Sequence, residues 1–277
     1  MATIVHRFQA SLFPVNAYLV ETADAVIAVD ATLGMSDGRA IGARVKATGK
    51  PLAGVIVTHS HPDHYGGLTA LLEEVPAPIY SVAGVRDVIR RDDDEKEQIL
   101  RPMFGDEWAK RRTFPNRVVA DDKRVAIADE VFRVIDVGPC ESPHDSWWVL
   151  EGADGPSTAF VGDVAYSHMH AYLADGYHEA WLKNIARAKR ELPTDVRLMI
   201  GHGEPTQGHV LLDWQADYIS RLLEAIRQGV ERDGLDGEAL ADAVTTRMKA
   251  LLPNDDLLFL MRLSVAPLRR QLFSRTG

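Results

Sequence analysis

The chain has 277 residues, 46% hydrophobic and 26% charged, enough apolar material for one large core or a core with an extension. The excess of 40 acidic over 31 basic side chains gives a net charge of −9, which argues against a nucleic-acid partner. A single cysteine, Cys140, excludes an internal disulfide, and no apolar run is long enough to span a membrane. The opening stretch MATIVHRFQASLFPVNAYLV lacks the basic segment and apolar block of an export signal. The expected setting is therefore the cytoplasm, with neither membrane nor nucleic acid as partner.

In chain order, TIVHRF (3–8), VNAYLVE (15–21) and AVIAVD (25–30) are β-branched or aromatic runs of strand length. Ser36 predicts an N-cap for a helix over about 37–48, and AGVIVT (53–58) reads as a buried strand. Gly66 and Gly67 open an apolar helix, LTALLEEV, that Pro76 stops. Residues 86–112 carry a dense charge run that predicts a solvated helix. The apolar members of that segment, Ile99, Leu100, Met103, Phe104 and Trp108, suit the underside of a lid insertion over 86–112.

Further strands are expected at 117–127, 131–137, 146–151 and 157–162, with one of Trp147 and Trp148 in the core. A helix follows over about 176–192, with Asp175 as N-cap and Trp181, Ile185, Ala188 and Leu192 on one face. DVRLMIGHGEP (195–205) is a last strand running into a turn, and from 206 onward the chain reads as helical. The run LLFLM (257–261) suits burial against the core or a homodimer interface. One weak internal echo stands out: AVIAVD (25–30) and TAFVGD (158–163) are both apolar strands ending in aspartate.

The densest chemistry lies in THSHPDHYGG (58–67), where His59, His61, Asp63 and His64 fall within six positions of a chain holding 10 histidines. Neutral imidazole and carboxylate both bind divalent metals. Residues two apart in an extended chain point the same way, so His59 and His61 can hold one ion. Asp63 and His64, past Pro62, can turn toward a second. Two ions need further ligands, expected where later strands end. His144 (SPHDSW), Asp163 (FVGD) and His202 (IGHGEP) are metal-binding types at such places.

H-S-H-P-D-H, a histidine about 80 residues on, then F-V-G-D and I-G-H-G resemble the metallo-β-lactamase superfamily, over about residues 3–205. The resemblance implies an α/β fold, a four-layer αββα sandwich. Its catalytic domain would span 1–205, with a helical C-terminal extension over 206–277 packed on it. It also implies a two-metal site in which His59, His61 and His144 hold one ion and Asp63, His64 and His202 the other. Asp163 would bridge the two. One departure is visible: the third-ligand motif usually reads Gly-His-Thr, whereas Pro143 precedes His144 here.

Two divalent ions, zinc by default with iron or manganese fitting the same donors, would activate a shared hydroxide for attack on a carbonyl. Asp63 would orient the nucleophile and shuttle its proton. Tyr166, three residues after Asp163, has the spacing seen in acyl-homoserine lactonases, where the hydroxyl reaches the substrate carbonyl. A phenol packed at a strand exit is the other reading. The expectation is a metallohydrolase acting on a small lactone or ester. Thioester hydrolysis of the glyoxalase II type, an iron persulfide dioxygenase, β-lactam hydrolysis and a non-catalytic metal sensor are the alternatives. His168 and His170 are expected in an exposed loop, or lining the pocket.

Overall fold

The β-branched and aromatic runs of the first sixty residues form β1 (Ile4–Gln9), β2 (Asn16–Glu21), β3 (Val26–Val29) and β4 (Leu52–Ile56), with helix α1 (Met35–Ala47) between β3 and β4. Two short helices follow the His-rich turn, α2 (Pro62–Tyr65) and α3 (Leu68–Glu74), then β5 (Ile79–Ser81), the long α4 (Ala83–Phe104) and β6 (Arg117–Val118). The second half runs β7 (Arg124–Ile127), β8 (Glu130–Gly138), β9 (Asp145–Leu150), β10 (Thr158–Tyr166), α5 (His178–Glu191), β11 (Arg197–His202) and β12 (Thr206–Gln207). Helices α6 (Val210–Glu231), α7 (Gly237–Leu251) and α8 (Leu258–Phe273) complete it. This computed structural model describes residues 3–151 and 155–273.

The strands form two six-stranded mixed sheets, ordered β1-β2-β3-β4-β5-β6 and β12-β11-β10-β9-β8-β7. In the first, β1, β2 and β3 pair antiparallel and β4 joins β3 in parallel. In the second, β8, β9 and β10 pair antiparallel and β11 joins β10 in parallel. The echo between AVIAVD and TAFVGD thus has a topological counterpart. AVIAVD is the third strand of one antiparallel meander and TAFVGD the fourth of the other, and each starts a parallel step.

Every residue of β9 and β10 is buried, as expected for strands covered on both faces. Trp147 and Trp148 show why: each is fully buried, but in different cores. Trp148 joins Phe132, Phe160 and Tyr18 between the sheets, while Trp147 lies with Trp181, Ile185 and Leu222 beneath helices α5 and α6. Burying such an aromatic contributes roughly 2–3 kcal/mol. Helices α1, α3 and α4 cover the first sheet through Ile41, Val45, Leu71, Val85 and Ile89. The chain is therefore α/β, a helix–sheet–sheet–helix sandwich.

Local expectations are corrected at four places. Ser36 lies inside the first turn of α1 rather than at its cap; Gly34 is the cap, and the Ser36 N–H donates to Glu107 at 2.8 Å. Ile99 and Met103 of α4 point to solvent, whereas Trp108 is fully buried against Tyr65. The region after 206 begins with β12, not helix. Of LLFLM, Leu257 and Met261 are buried while Phe259 is exposed. Among the described residues no helix is long and apolar enough to cross a membrane.

Candidate metal centre

The site forms at one edge of the sandwich, where β3, β4, β10 and β11 end. Chain ends of parallel strands are where layered α/β proteins place ligands, because several loops converge there. Beyond β4 the chain enters the His-rich turn. Beyond β3 lies Asp30, and β10 and β11 contain Asp163 and His202.

Two sets of donor atoms lie within 4.8 Å of one another: His59, His61, Glu141 and Asp163, and Asp63, His64, Asp163 and His202. Asp163 belongs to both. Its Oδ1 is 3.4 Å from His64 Nε2, and its Oδ2 lies 3.0 Å from His202 Nε2 and 3.8 Å from His59 Nε2. Asp63 Oδ2 stands 3.3 Å from His202 Nε2, and His61 Nδ1 is 2.7 Å from Glu141 Oε2.

Each histidine is held by its other nitrogen. His64 Nδ1 donates to Asp30 Oδ2 at 2.8 Å, and His202 Nδ1 donates to the Pro14 carbonyl at 2.6 Å. The Thr58 hydroxyl donates to Asp30 Oδ2 at 2.8 Å and so accepts from His59 Nδ1 at 3.0 Å. His61 is reversed: its Nε2 donates to Asp175 Oδ2 at 2.9 Å, leaving Nδ1 facing the cluster. All four rings thereby turn their second nitrogen toward the same space, which is how outer partners orient metal ligands.

Three buried atoms facing that space have no hydrogen-bond partner, His59 Nε2, His64 Nε2 and Asp163 Oδ1, and beside them Glu141 Oε2 meets only the His61 ring. Buried polar atoms are nearly always satisfied, so a group of orphans aimed at one point calls for a missing partner. A divalent cation between nitrogen and oxygen donors satisfies all of them, and the residues present fit it.

The electrostatics agree. Burial lowers the His202 imidazole, but facing Asp163 and Asp63 outweigh it and raise it to about 10. Burial raises the Asp163 carboxyl, yet His202, His64 and His59 hold it well below the usual range. Burial pushes Glu141 up to about 7. These carboxylates draw positive charge into the site, and a bound metal would take the protons' place.

Two glycines let the site close. A Cβ on Gly201 would stand 1.9 Å from Asp163 Oδ1 and 2.6 Å from His64. Gly162 has φ +54 at a bulge in β10, and a Cβ there would meet His59 Nδ1 at 2.8 Å. The glycines of F-V-G-D and I-G-H-G are therefore part of the ligand geometry.

The structure brings together all but one of the residues expected as ligands. The exception is His144. Its ring packs on Gly84 at the start of α4, where a Cβ would come within 2.0 Å, and its Nε2 bonds Asp136 at 2.7 Å. Glu141 occupies the expected third place. The turn between β8 and β9 decides this, because Asp145 Oδ2 accepts from the Ser142 N–H at 3.0 Å and its hydroxyl at 2.9 Å. That closed turn directs Glu141 inward and His144 outward.

Asp175 is likewise corrected. It does not cap α5, whose N-cap is Tyr177, but holds His61 and accepts from the Tyr172 hydroxyl at 3.0 Å. Asp30, with φ +60, was visible only as the end of a strand, yet one carboxylate orients His64 directly and His59 through Thr58. Replacing Asp30 with alanine should lower metal affinity roughly 10–100-fold. It should also cost about 1–3 kcal/mol in stability, since the Thr58 N–H loses its 2.9 Å acceptor. Metal titration and denaturant melts of the variant check both, and unchanged metal affinity would remove Asp30 from the assembly.

Tyr166 is buried and stacked on His202, ring centroids 4.8 Å apart. Its hydroxyl lies 2.9 Å from Glu141 Oε1 and 3.0 Å from Asp163 Oδ2, so its single proton is shared between the two carboxylates. Burial, then the two carboxylates, raise its pKa well above the ordinary phenol value, so it remains a donor. His170 is buried and bonded to Tyr218 at 2.9 Å, among the C-terminal helices rather than in an exposed loop. Cys140 is buried and its thiol pushed up by desolvation. A cavity of about 220 Å³ opens beside His61, walled by Arg91 and Lys96 of α4, Pro143 and Tyr177.

The two-sheet sandwich with this ligand edge is the architecture of a metallohydrolase family. The model of the metallo-beta-lactamase superfamily matches residues 10–202, and the chain belongs to that superfamily. It is similar to the hydroxyacylglutathione hydrolase of Parasynechococcus marenigrum, 28% identical over 163 residues, covering 58% of this chain and 55% of that protein. The chain spans about half that relative's length, and less of the other curated relatives it matches. In fold it is similar to a beta-lactamase domain protein from Burkholderia ambifaria, with TM-score 0.70, 18% identity, and coverage of 98% and 86%. It is also similar to a stereoselective inverting sec-alkylsulfatase from Pseudomonas sp., with TM-score 0.66, 16% identity, and coverage of 95% and 48%. At these identities the likeness to both structures is one of fold.

Proposed function

We propose that this chain is a two-metal hydrolase of a carboxylic ester-type bond in a small molecule: a lactone, an ester or a thioester. The observation that carries this reading is the set of orphaned buried atoms on His59, His64 and Asp163, facing one space between two donor sets that share Asp163. His59, His61, Glu141 and Asp163 would hold one ion, and Asp63, His64, Asp163 and His202 the other. Zinc suits these nitrogen and oxygen donors, and iron or manganese also fit. Bound divalent cations supply the Lewis acidity that lowers the pKa of water and polarises a carbonyl.

The chain's own groups do the rest. Asp63 is the least buried carboxylate of the two donor sets, its side chain 14% exposed. It can take a proton from an attacking water and pass it to the leaving group. The thioester has one specific support, the similarity to a hydroxyacylglutathione hydrolase. A lactone reading calls for the Tyr166 hydroxyl to reach a substrate carbonyl, and that hydroxyl is engaged by Glu141 and Asp163.

Metal analysis coupled to a panel of lactones, esters, thioesters, β-lactams and sulfate esters tests the proposal. About two metals per chain, with turnover of a carboxylic ester-type substrate, are expected. Well under one metal per chain, or turnover confined to sulfate esters or β-lactams, overturns it.

Tyr166 acts here as a positioning residue. Replacing it with phenylalanine should weaken metal binding about tenfold, with activity restored by added metal. A loss of kcat untouched by saturating metal would return the phenol to contact with substrate.

A further inference from the structure

A second concavity, about 700 Å³, opens between the start of α5 and helices α6 and α8. That volume lies in the range of small-molecule sites. Lys183 of α5, Arg227 of α6 and Arg270 of α8 line it, and Glu179 is the one carboxylate on its described wall. Among the described residues of its wall, three cationic side chains stand with one carboxylate.

Neighbouring basic residues on these helices are neutralised. Arg187 pairs with Glu191, Lys189 with Asp213, Arg221 with Asp217, and Arg269 with Asp236. Lys183, Arg227 and Arg270 pair with no carboxylate among the described residues. In a chain of net charge −9, three unneutralised cations converging from three helices form a local field that favours an anion. The positive end of the α5 dipole adds to it.

The groove shares one side chain with the cavity beside His61. Tyr177 lines both this concavity and the cavity beside His61. Two residues before it, Asp175 holds His61 Nε2. The smaller cavity is different in charge, because Arg91 there forks onto Asp92 at 2.6 and 2.8 Å. An anion would accordingly settle in the larger groove and leave the smaller cavity to the reacting end.

We propose that this groove holds the carboxylate end of an elongated substrate, whose scissile carbonyl reaches the metal cluster past Tyr177. Guanidinium forks match a carboxylate in shape and charge, and two of the three cations are arginines. The placement of the scissile end rests on the hydrolase reading above; anion binding in the groove does not.

The test has two arms on the full chain, using Arg227→Gln/Arg270→Gln, two exposed positions outside the metal cluster. In the first arm, calorimetric titration uses benzenedisulfonate, a dianion with little affinity for divalent metals, against its neutral disulfonamide analogue. Wild type should bind the dianion at least about tenfold more tightly than the double variant, and the neutral analogue should distinguish neither. Equal binding by both proteins overturns the groove as an anion site.

In the second arm, a substrate from the panel is compared with and without a terminal carboxylate. The variant should raise KM about tenfold for the acid only, with kcat unchanged, because uniform binding is what is lost. Arg227→Lys/Arg270→Lys should restore most of it. An equal KM rise for acid and neutral substrates overturns the substrate assignment. If no substrate is turned over at all, the hydrolase reading fails while the calorimetric arm still decides the groove.

Discussion

Replacing Asp163 with alanine should reduce hydrolysis by at least about a thousandfold, equivalent to roughly 4 kcal/mol of transition-state stabilisation. It should also bring metal content below one ion per chain. Asp163 is the one side chain common to both donor sets. Its two oxygens face different histidines, Oδ1 toward His64 and Oδ2 toward His202 and His59. Without it, His64 and His202 keep Asp63 as the one donor-set carboxylate facing them, and Tyr166 keeps Glu141 as its single acceptor. The variant should still fold, since the substitution leaves the apolar side chains of both cores in place. Metal analysis and kinetics on a protein with wild-type circular dichroism check the prediction. Two tightly held ions, or undiminished activity, would show that Asp163 does not bridge.

The ligand turn was legible because it is local. His59, His61, Asp63 and His64 come from one stretch after a buried strand, and the backbone from β4 into α2 leaves them little freedom. Asp163 and His202 were legible for a related reason: each lies on an apolar strand beside glycine, and the structure shows those glycines clearing the space the ligands need. The echo of two apolar strands ending in aspartate also carried information, because each closes an antiparallel meander and begins a parallel step. Asp30 and Asp163 are those two aspartates, one orienting the ligands and the other among them.

What the sequence hid depends on direction rather than residue type. Glu141, His144 and Asp145 are all metal-binding types within five positions, and only the closed turn made by Ser142 and Asp145 selects among them. Asp175 reads as a helix cap because aspartate before a helix usually is one. Its orientation toward His61 arises from a loop placed by tertiary packing, with Tyr172 on its other oxygen. His170 is buried because α6 brings Tyr218 to it and the segment before α8 supplies the Asn254 and Asp256 carbonyls. The cationic groove is similarly non-local: Lys183, Arg227 and Arg270 share no motif and meet only once three helices pack.

Glu141 and His144 provide the sharpest comparison between what the sequence suggests and where the side chains lie. Glu141→Ala should weaken one of the two metal sites by well over a hundredfold and reduce activity about a thousandfold, while the other site keeps its ion at micromolar or tighter affinity. Glutamine at the same position retains the shape but removes the charge, and should fall between alanine and wild type. His144→Ala should leave metal content unchanged and alter activity less than about threefold. Its ring bonds Asp136 and packs on Gly84, so the cost there is one partly exposed hydrogen bond, about 1 kcal/mol of stability. Two-step metal titration of the three variants separates the alternatives. If His144→Ala loses the ion and Glu141→Ala keeps it, then the turn between β8 and β9 must reverse when metal binds. The strain of that reversal would fall on the Ser142–Asp145 hydrogen bonds, which amide exchange across that turn would detect.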